Sequence, residues 1–575
     1  MTTRRYVALA WLGLVWLGCA AAQEPTRAQR QMVVAANPYA SEAGIRILRA
    51  GGGAVDAAIA VQLVLSLVEP QSSGIGGGAF LMFFEASDQL DGTGQVVAYQ
   101  GRETAPAAAT PALFLDADGR PMSFLNVGFG GLPVGVPAVM RMLEMAHAAH
   151  GRLPWTDLFA PAIELSEQGF EISPRLYFLL DRFKNIARAE KFKQHFYAAD
   201  GEAYVTGHVL KNPEYADTLR LLAREGADAM YAGPLAEAIV AAVSDNSLSA
   251  GHLTLADLDA YRAERVEPLC TPYRSWRVCG PQLPSSGGIT VQQTLGMLAA
   301  FDLAAVSDDP VQSVHLVAEA NRLAFADRDY YLGDPKFINV PVAALLSPAY
   351  LHERAGLIDP AAALPRVSHG TPDAALAADL APSPLSEITS TSHFSIVDRF
   401  GDAVAMTTSV QGAFGSQLMV GGFILNNQLT DFSTEPKIDG RPVANAADAG
   451  KRPLSSMSPS LILDARGRLH LLIGSPGGTR IINYVTQAIV GVLDWGRDIQ
   501  TAVAAPHFVS RGGPLELEEQ SGLLEYADDL RRLGHEVVER NLNSGLHGIV
   551  IEYSPAGRVL WGGVDPRREG LAIGD

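Results

Sequence analysis

Cysteine is scarce. The chain has three in 575 residues, which excludes a disulfide-built scaffold or a multi-zinc module. Basic charge is in deficit, with Lys+Arg 44 against Asp+Glu 62 and a net charge of −18. Such a surface repels phosphate backbones, so nucleic-acid binding is excluded as the main function. Beyond the N-terminus no apolar run approaches the ~18 residues that mark a membrane-spanning helix. The patterns GxxxxGK[ST], HExxH, GxSxG and SxxK are all missing, so P-loop, zincin, α/β-hydrolase and β-lactamase chemistry lack their usual signatures. The 13 histidines are scattered. His147 and His150 share a helix face, but no Cys/His cluster completes a site. They read as a solvated face, and no metal or other cofactor is expected. What the chain does have is apolar material, 48% of its residues. That is enough to pack about two to four domain-sized units.

The start of the chain reads as an address. Arg4 and Arg5 precede the apolar run Val7 to Leu17, followed by Gly18-Cys19-Ala20-Ala21-Ala22-Gln23. A basic start, a short apolar core and an Ala-x-Ala exit fit a signal peptide over residues 1–22. Export to the periplasm or beyond is therefore expected, with no membrane span in the mature chain. The alternative is a lipoprotein with its lipid on Cys19, against which Trp16 stands where such signals carry Leu. Export would allow a disulfide. Cys270 and Cys279 flank Pro272-Tyr273-Arg274-Ser275, a turn between two strands. They are read either as bridged across that hairpin or as two reduced cysteines packed as small hydrophobes.

Periodicity predicts helices over Ser41 to Leu48 and Ala54 to Leu67, a glycine-rich loop from Gln71 to Gly78, and a buried strand from Ala79 to Phe84. Helical patterns then dominate to about Gly370, for example Pro137 to Ala149, Leu235 to Val243, Gln292 to Ala300 and Val314 to Phe325. Residues 371–392 are rich in Pro, Ala, Ser and Thr and read as an exposed, flexible stretch. Strands follow: a hairpin of His393 to Asp398 and Ala403 to Thr408, then Gly422 to Leu425, Ser460 to Leu463 and Leu469 to Ile473. After a helix over Ile481 to Leu493, the chain closes with strands Gly548 to Tyr553 and Arg558 to Trp561. Helices and strands segregated in runs predict an α+β layered fold, not a doubly wound sheet. Gly74-Ile75-Gly76-Gly77-Gly78-Ala79 matches a dinucleotide fingerprint in letters only. It precedes a strand instead of opening a helix, so close backbone packing is the expected role.

The chemistry points to a hydroxyl where the flexible stretch meets a strand, in Ser390-Thr391-Ser392-His393. A threonine hydroxyl needs a base beside it, and cutting the preceding peptide bond supplies one in the residue's own α-amino group. With a pKa near ~8, that amine can exchange protons with the hydroxyl at working pH.

Thr391-Ser392-His393, FILNNQLTDF (423–432), KRPLSSMS (451–458) and GSPGGTR (474–480) together resemble the γ-glutamyltransferase family. Upstream, GGGAVDAA (51–58), SGIGGGAF (73–80), GRETAP (101–106), PSSGG (284–288) and EANRLAFAD (319–327) agree, in family order. The resemblance implies a four-layer αββα N-terminal-nucleophile hydrolase sandwich, made as one chain that cuts itself between Ser390 and Thr391. Residues 23–390 would form a large subunit and 391–575 a small catalytic one, together a heterodimer. It implies Thr391 as nucleophile and α-amino base, with Gly477 and Gly478 forming the oxyanion hole. Arg102, Ser455 and Ser456 would bind a substrate α-carboxylate, and Gln428 with Asp431 the α-ammonium. Glutathione or related γ-glutamyl amides would be donors, with water, amino acids or short peptides as acceptors.

The chain departs from the family pattern at Ser409 and Gln411, where many members have Thr and Asn, and at Thr430, where a second Asp is common. Ser409 keeps the hydroxyl beside the nucleophile. Gln411 carries its amide on a longer arm, which alters substrate fit. Two rivals follow. One is a cephalosporin- or glutaryl-acylase-like amidase with the same mechanism; the other is an uncleaved secreted binding protein without catalysis.

Overall fold

The computed structural model describes residues 24–87, 92–245, 248–372, 379–383 and 390–575. The expected signal peptide, with Cys19, lies outside them. Among the described residues, no helix is long and apolar enough to cross a membrane.

Two seven-stranded sheets lie face to face. One runs, in spatial order, Leu571–Gly574, Met32–Ala35, Ser392–Val397, Ala403–Ser409, Gly78–Ala86, Gly94–Gly101 and Glu264–Val266. The other runs Thr26–Ala28, Gly557–Val564, His547–Ser554, Leu469–Gly474, Ser460–Leu463, Trp276–Gly280 and Leu269–Tyr273. Every pairing in both sheets is antiparallel. Side-chain alternation assigns the layers. Val397, Ala403 and Ala405 enter the core between the sheets with Met82, Leu461, Leu472 and Ile549. Phe394, Ile396, Val404 and Met406 point the other way, against helices Pro38–Arg49 and Ala54–Val68. Helices Ser286–Leu298, Pro310–Tyr331 and Ile481–Leu493 cover the outer face of the second sheet. The result is the four-layer αββα sandwich.

Helix Ala54–Val68 is wholly buried, with only Asp56, Gln62 and Ser66 polar, the composition of a helix covered on every face. Its first turn is tied down by carboxylates. Asp56 accepts from the N–H groups of Gly53 at 2.8 Å and Leu153 at 3.1 Å, and Asp398 accepts from Ala54 N–H at 2.8 Å. Asp398 closes the hairpin that follows Thr391, so this helix and the strand that begins after Thr391 share an anchor.

The glycine-rich loop packs backbone on backbone. A Cβ on Gly76 would lie 2.2 Å from the carbonyl oxygen of Ile424, and one on Gly77 would lie 2.1 Å from that of Ser409. Cys270 and Cys279 are directly opposed in the hairpin and joined by a disulfide.

Two sequence expectations change. His147 and His150 are not a solvated face: His147 Nε2 meets Leu153 O at 2.9 Å and His150 Nε2 meets the Tyr99 hydroxyl at 2.8 Å, pinning their helix to its neighbours. Within residues 371–392, Ala381, Ser383, Ser390 and Thr391 are buried. Ala381 N–H donates to Pro442 O at 2.9 Å and Ser383 N–H to Asp329 O at 2.7 Å. Composition marked this segment as exposed; its backbone instead finds partners on loops distant in sequence. The rest of that stretch, 373–378 and 384–389, lies outside the described residues.

Gly77→Ala should destabilise the protein by about 1–3 kcal/mol or more, because the obstacle is backbone and cannot rotate away. Thermal unfolding checks this. An unchanged melting temperature would mean that the loop relaxes freely.

Candidate active site

Thr391 stands one residue before strand Ser392–Val397, where the glycine-rich loop crosses the end of the sheet. Ser390 Oγ donates to Gln71 O, and Ser73 Oγ donates to Ser392 Oγ at 3.2 Å. Arg568 donates through Nη1 to Thr391 O at 3.1 Å and through Nε to Ser544 O at 2.6 Å. Burial, then the nearby Arg175, pulls the Arg568 guanidinium down to about 9.

The residues around the Ser390–Thr391 bond converge on its carbonyl. Thr391 Oγ contacts Ser390 O. Ser409, at the end of the adjacent strand, donates to the same oxygen at 2.8 Å and lies 3.4 Å from Thr391 Oγ. Ser409 is itself oriented by Gln411 N–H at 2.8 Å. Gln411 has φ 81°, a left-handed conformation that non-glycine residues adopt at a cost, typically near functional sites.

One cavity of about 60 Å³ gathers Ser390, Thr391, Ser409, Gln411, Gln428, Asp431, Ser455, Ser456 and Gly478. Gly477 precedes Gly478 at the head of the turn that opens helix Ile481–Leu493. Both have positive φ, 139° and 60°, and a Cβ on Gly477 would lie 2.7 Å from the Tyr484 ring. Backbone N–H groups at a helix start suit a developing negative charge. Among the described residues, no group of three or more His, Cys, Asp or Glu could hold a metal ion.

Arg102 is placed differently from the other candidates. It is fully buried and does not line the cavity. Its guanidinium donates to Asp431 Oδ2 at 2.6 Å, Pro453 O at 3.0 Å and Leu454 O at 3.0 Å. Gln411 Nε2 takes the other Asp431 oxygen at 2.8 Å. Arg102 and Asp431, read from sequence as separate binding groups, are thus joined, since a buried guanidinium needs a carboxylate partner.

Glu103 lies beside this pair, 3.5 Å from Arg102 Nη1, with neither carboxylate oxygen hydrogen-bonded. Burial pushes it up to about 8, against the pull of Arg102. His393 is not a general base. It lies buried between the sheets with Nδ1 2.8 Å from Thr407 Oγ, and burial holds it well below the usual histidine range.

Several contributors were missed from sequence. Arg328 lines the cavity, donating to Ser456 Oγ at 3.1 Å and Ser286 Oγ at 3.0 Å. It directly follows the EANRLAFAD block, whose helical register could have pointed to it. Arg568 lies near the C-terminus, outside the blocks that carry the resemblance. Asn445 and Ser383 also line the cavity, and no local pattern marks either.

The family model for Gamma-glutamyltranspeptidase matches residues 40–575. The glutathione hydrolase proenzyme of Escherichia coli strain K12 is 34% identical over 557 residues, covering 94% of this chain and 91% of that protein. The acylase ACY 1 proenzyme of Pseudomonas sp. strain SE83 is 34% identical over 561 residues, covering 96% of this chain and 94% of that protein. The crystal structure of cephalosporin acylase from Bacillus halodurans superposes with a TM-score of 0.84 at 27% identity, covering 98% of this chain and 99% of that one.

Glu103 supplies a pH prediction. Its native pKa is raised, so its contribution favours folding below about pH 4.5 and is lost as pH rises through 8. Glu103→Gln should therefore gain stability over the parent as pH rises from 5 to 8, by up to about 1.4 kcal/mol per pH unit. Paired unfolding curves across that range check it; a constant difference would contradict it.

Proposed function

The chain belongs to the γ-glutamyltranspeptidase family, and on that premise we propose an exported, self-cleaving enzyme that uses Thr391 to transfer γ-glutamyl groups from glutathione or related amides. The carrying observation is the convergence of Thr391 Oγ and Ser409 Oγ on the carbonyl of Ser390. Polarised by Ser409, that carbonyl carbon takes the Thr391 Oγ–C bond. The C–N bond breaks, and the nitrogen leaves as the free amine of Thr391 with the proton from the hydroxyl. Water then hydrolyses the ester, giving a Ser390 carboxylate and restoring the hydroxyl. Large and small subunits, 23–390 and 391–575, remain associated as a heterodimer.

In turnover the new α-amino group takes the Thr391 hydroxyl proton as Oγ attacks the γ-carbonyl of the donor. The N–H groups of Gly477 and Gly478 receive the oxyanion, where losing one donor typically costs about 3 kcal/mol. The leaving amine takes the proton held by the α-amino group. Water, an amino acid or a short peptide then accepts the acyl group. Ser455, Ser456, Gln428 and Asp431 line the cavity in which the donor's amino-acid head would sit, with Arg102 behind Asp431. Substrate binding in this account exchanges part of the Arg102–Asp431 contact for contacts with the donor's carboxylate and ammonium. Export rests on the N-terminal address.

A second reading, an acylase acting on glutaryl amides, is favoured by one observation. Both Asp431 oxygens are occupied, one by Arg102 and one by Gln411, leaving fewer acceptors for a substrate ammonium. A glutaryl group has none.

Thr391→Ala should leave a single full-length band on a denaturing gel and abolish turnover. Ser409→Ala should slow scission about tenfold or more, the equivalent of one lost hydrogen bond of about 1.4 kcal/mol. Fragments appearing from Thr391→Ala would refute the assigned nucleophile. With the processed enzyme, γ-glutamyl-p-nitroanilide should be turned over faster than glutaryl-p-nitroanilide; the reverse order would establish the acylase reading.

A further inference from the structure

Two adjacent arginines are treated differently by the fold. Arg567 is neutralised: it donates to both oxygens of Glu518, from Nη2 at 2.7 Å, and to Asp565 Oδ1 at 3.0 Å. Arg568 has no carboxylate of its own. Its side-chain hydrogen bonds go to uncharged oxygens, Thr391 O at 3.1 Å, Ser544 O at 2.6 Å and Asn543 Oδ1 at 3.3 Å. The side chain passes Gly545, where a Cβ would lie 2.8 Å from Arg568 Nε and 2.7 Å from Pro476 Cγ. Asn543 Oδ1 also accepts from Arg175 Nη1 at 3.2 Å, so a second guanidinium stands beside the first.

The acidic groups around Arg568 are spent elsewhere or neutral. Asp565 accepts from Ser544, from Leu546 N–H at 3.1 Å and from Arg567. Glu569 accepts from Arg175 N–H at 2.8 Å. Glu69 is fully buried with neither oxygen hydrogen-bonded, and burial raises it toward the neutral acid. Burial likewise raises the Tyr484 phenol and holds His393 and His547 below the usual histidine range, so all three are neutral at pH 7. Arg568, at about 9, remains a cation there.

On the cavity side the ionisable groups are Arg328 and Asp431. Each has its counter-charge, Arg328 in Asp329 at 2.7 Å and Asp431 in Arg102 at 2.6 Å. Arg568 differs from both in lacking one, and it is hydrogen-bonded to the nucleophile's own residue. The oxygen and nitrogen of one residue are ~3–3.6 Å apart, which puts the guanidinium within ~7 Å of the nitrogen that scission would free.

We propose that Arg568 is a positioning residue for Thr391: its guanidinium fixes the Thr391 carbonyl, and its charge disfavours protonation of the α-amino group that scission creates. This role rests on the proposed function, in which that amine is the base. A fixed cation favours the neutral amine, the form able to take the Thr391 hydroxyl proton. Two unit charges this close, in a site partly screened from water, shift a pKa by about one unit.

The test is the pH dependence of kcat/KM for γ-glutamyl-p-nitroanilide with the processed enzyme, whose acid limb reports the base of the free enzyme. In the parent the limb should lie about one unit below the ordinary α-amino value of ~7.7–8.0. Arg568→Gln should raise it by about one unit, and Arg568→Lys, which keeps the charge, should hold it near the parent's position. A merely structural contact would lower the rate at every pH and leave the limb in place. That result overturns the proposal. So does a parent limb at ~8 or above, which needs no variant and decides the question even where Arg568→Gln does not mature. Sequencing the smaller fragment separates the two possible failures. A Thr391 start with an unmoved limb rejects only the role of Arg568, whereas turnover without a Thr391 start rejects the proposed function.

Discussion

Strand Ser392–Val397 is hydrogen-bonded on both flanks, to Met32–Ala35 on one side and Ala403–Ser409 on the other. The first of these belongs to the chain before residue 390 and the second to the chain after it. The same interleaving recurs across the sheet, where Ala403–Ser409 pairs with Gly78–Ala86 and Leu571–Gly574 with Met32–Ala35. A break just before Thr391 therefore cuts no ladder and releases no layer. In the proposed scission Thr391 stays where the sheet holds it, and what changes is the chemistry at its nitrogen. Self-cleavage is compatible with a permanent site because the positioning forces lie in cross-strand hydrogen bonds and not in the scissile bond.

Burial sets the electrostatics around that site. Arg102, Glu103 and Glu69 are all removed from water and Arg568 is half-buried, and burial moves the pKa values of Glu69, Glu103 and Arg568 toward their neutral forms. Charges held this way are expensive unless paired. The Arg102–Asp431 contact is one answer to that cost, and it also fixes the side chains that face the cavity. Gly477 and Gly478 add a different element, fixed backbone dipoles that need no ionisation.

Much of this was legible in the chain, for reasons that differ by element. Helix Ile481–Leu493 and strand Ser460–Leu463 were read to the residue, because each has a strong local period and clear turn residues at its ends. Strands Thr26–Ala28, Met32–Ala35 and Leu571–Gly574 were not seen. Each is three or four residues long and owes its existence to partners hundreds of positions away. Among the candidate site residues, Thr391, Ser409 and Gly478 line one cavity. The surroundings of Arg102 were invisible, since nothing in GRETAP says which carboxylate folds against it. Residues 371–392 show the limit of composition: polar and proline-rich, the segment still buries Ala381 and Ser383 through contacts with Pro442 and Asp329.

The central claim, that an interior threonine becomes a chain start and only then an active nucleophile, is tested most directly by N-terminal sequencing and intact mass of the catalytically active protein. The account predicts two polypeptides, the smaller beginning Thr391-Ser392-His393. Full activity in a single unbroken chain, or a smaller fragment beginning at any other residue, would contradict it.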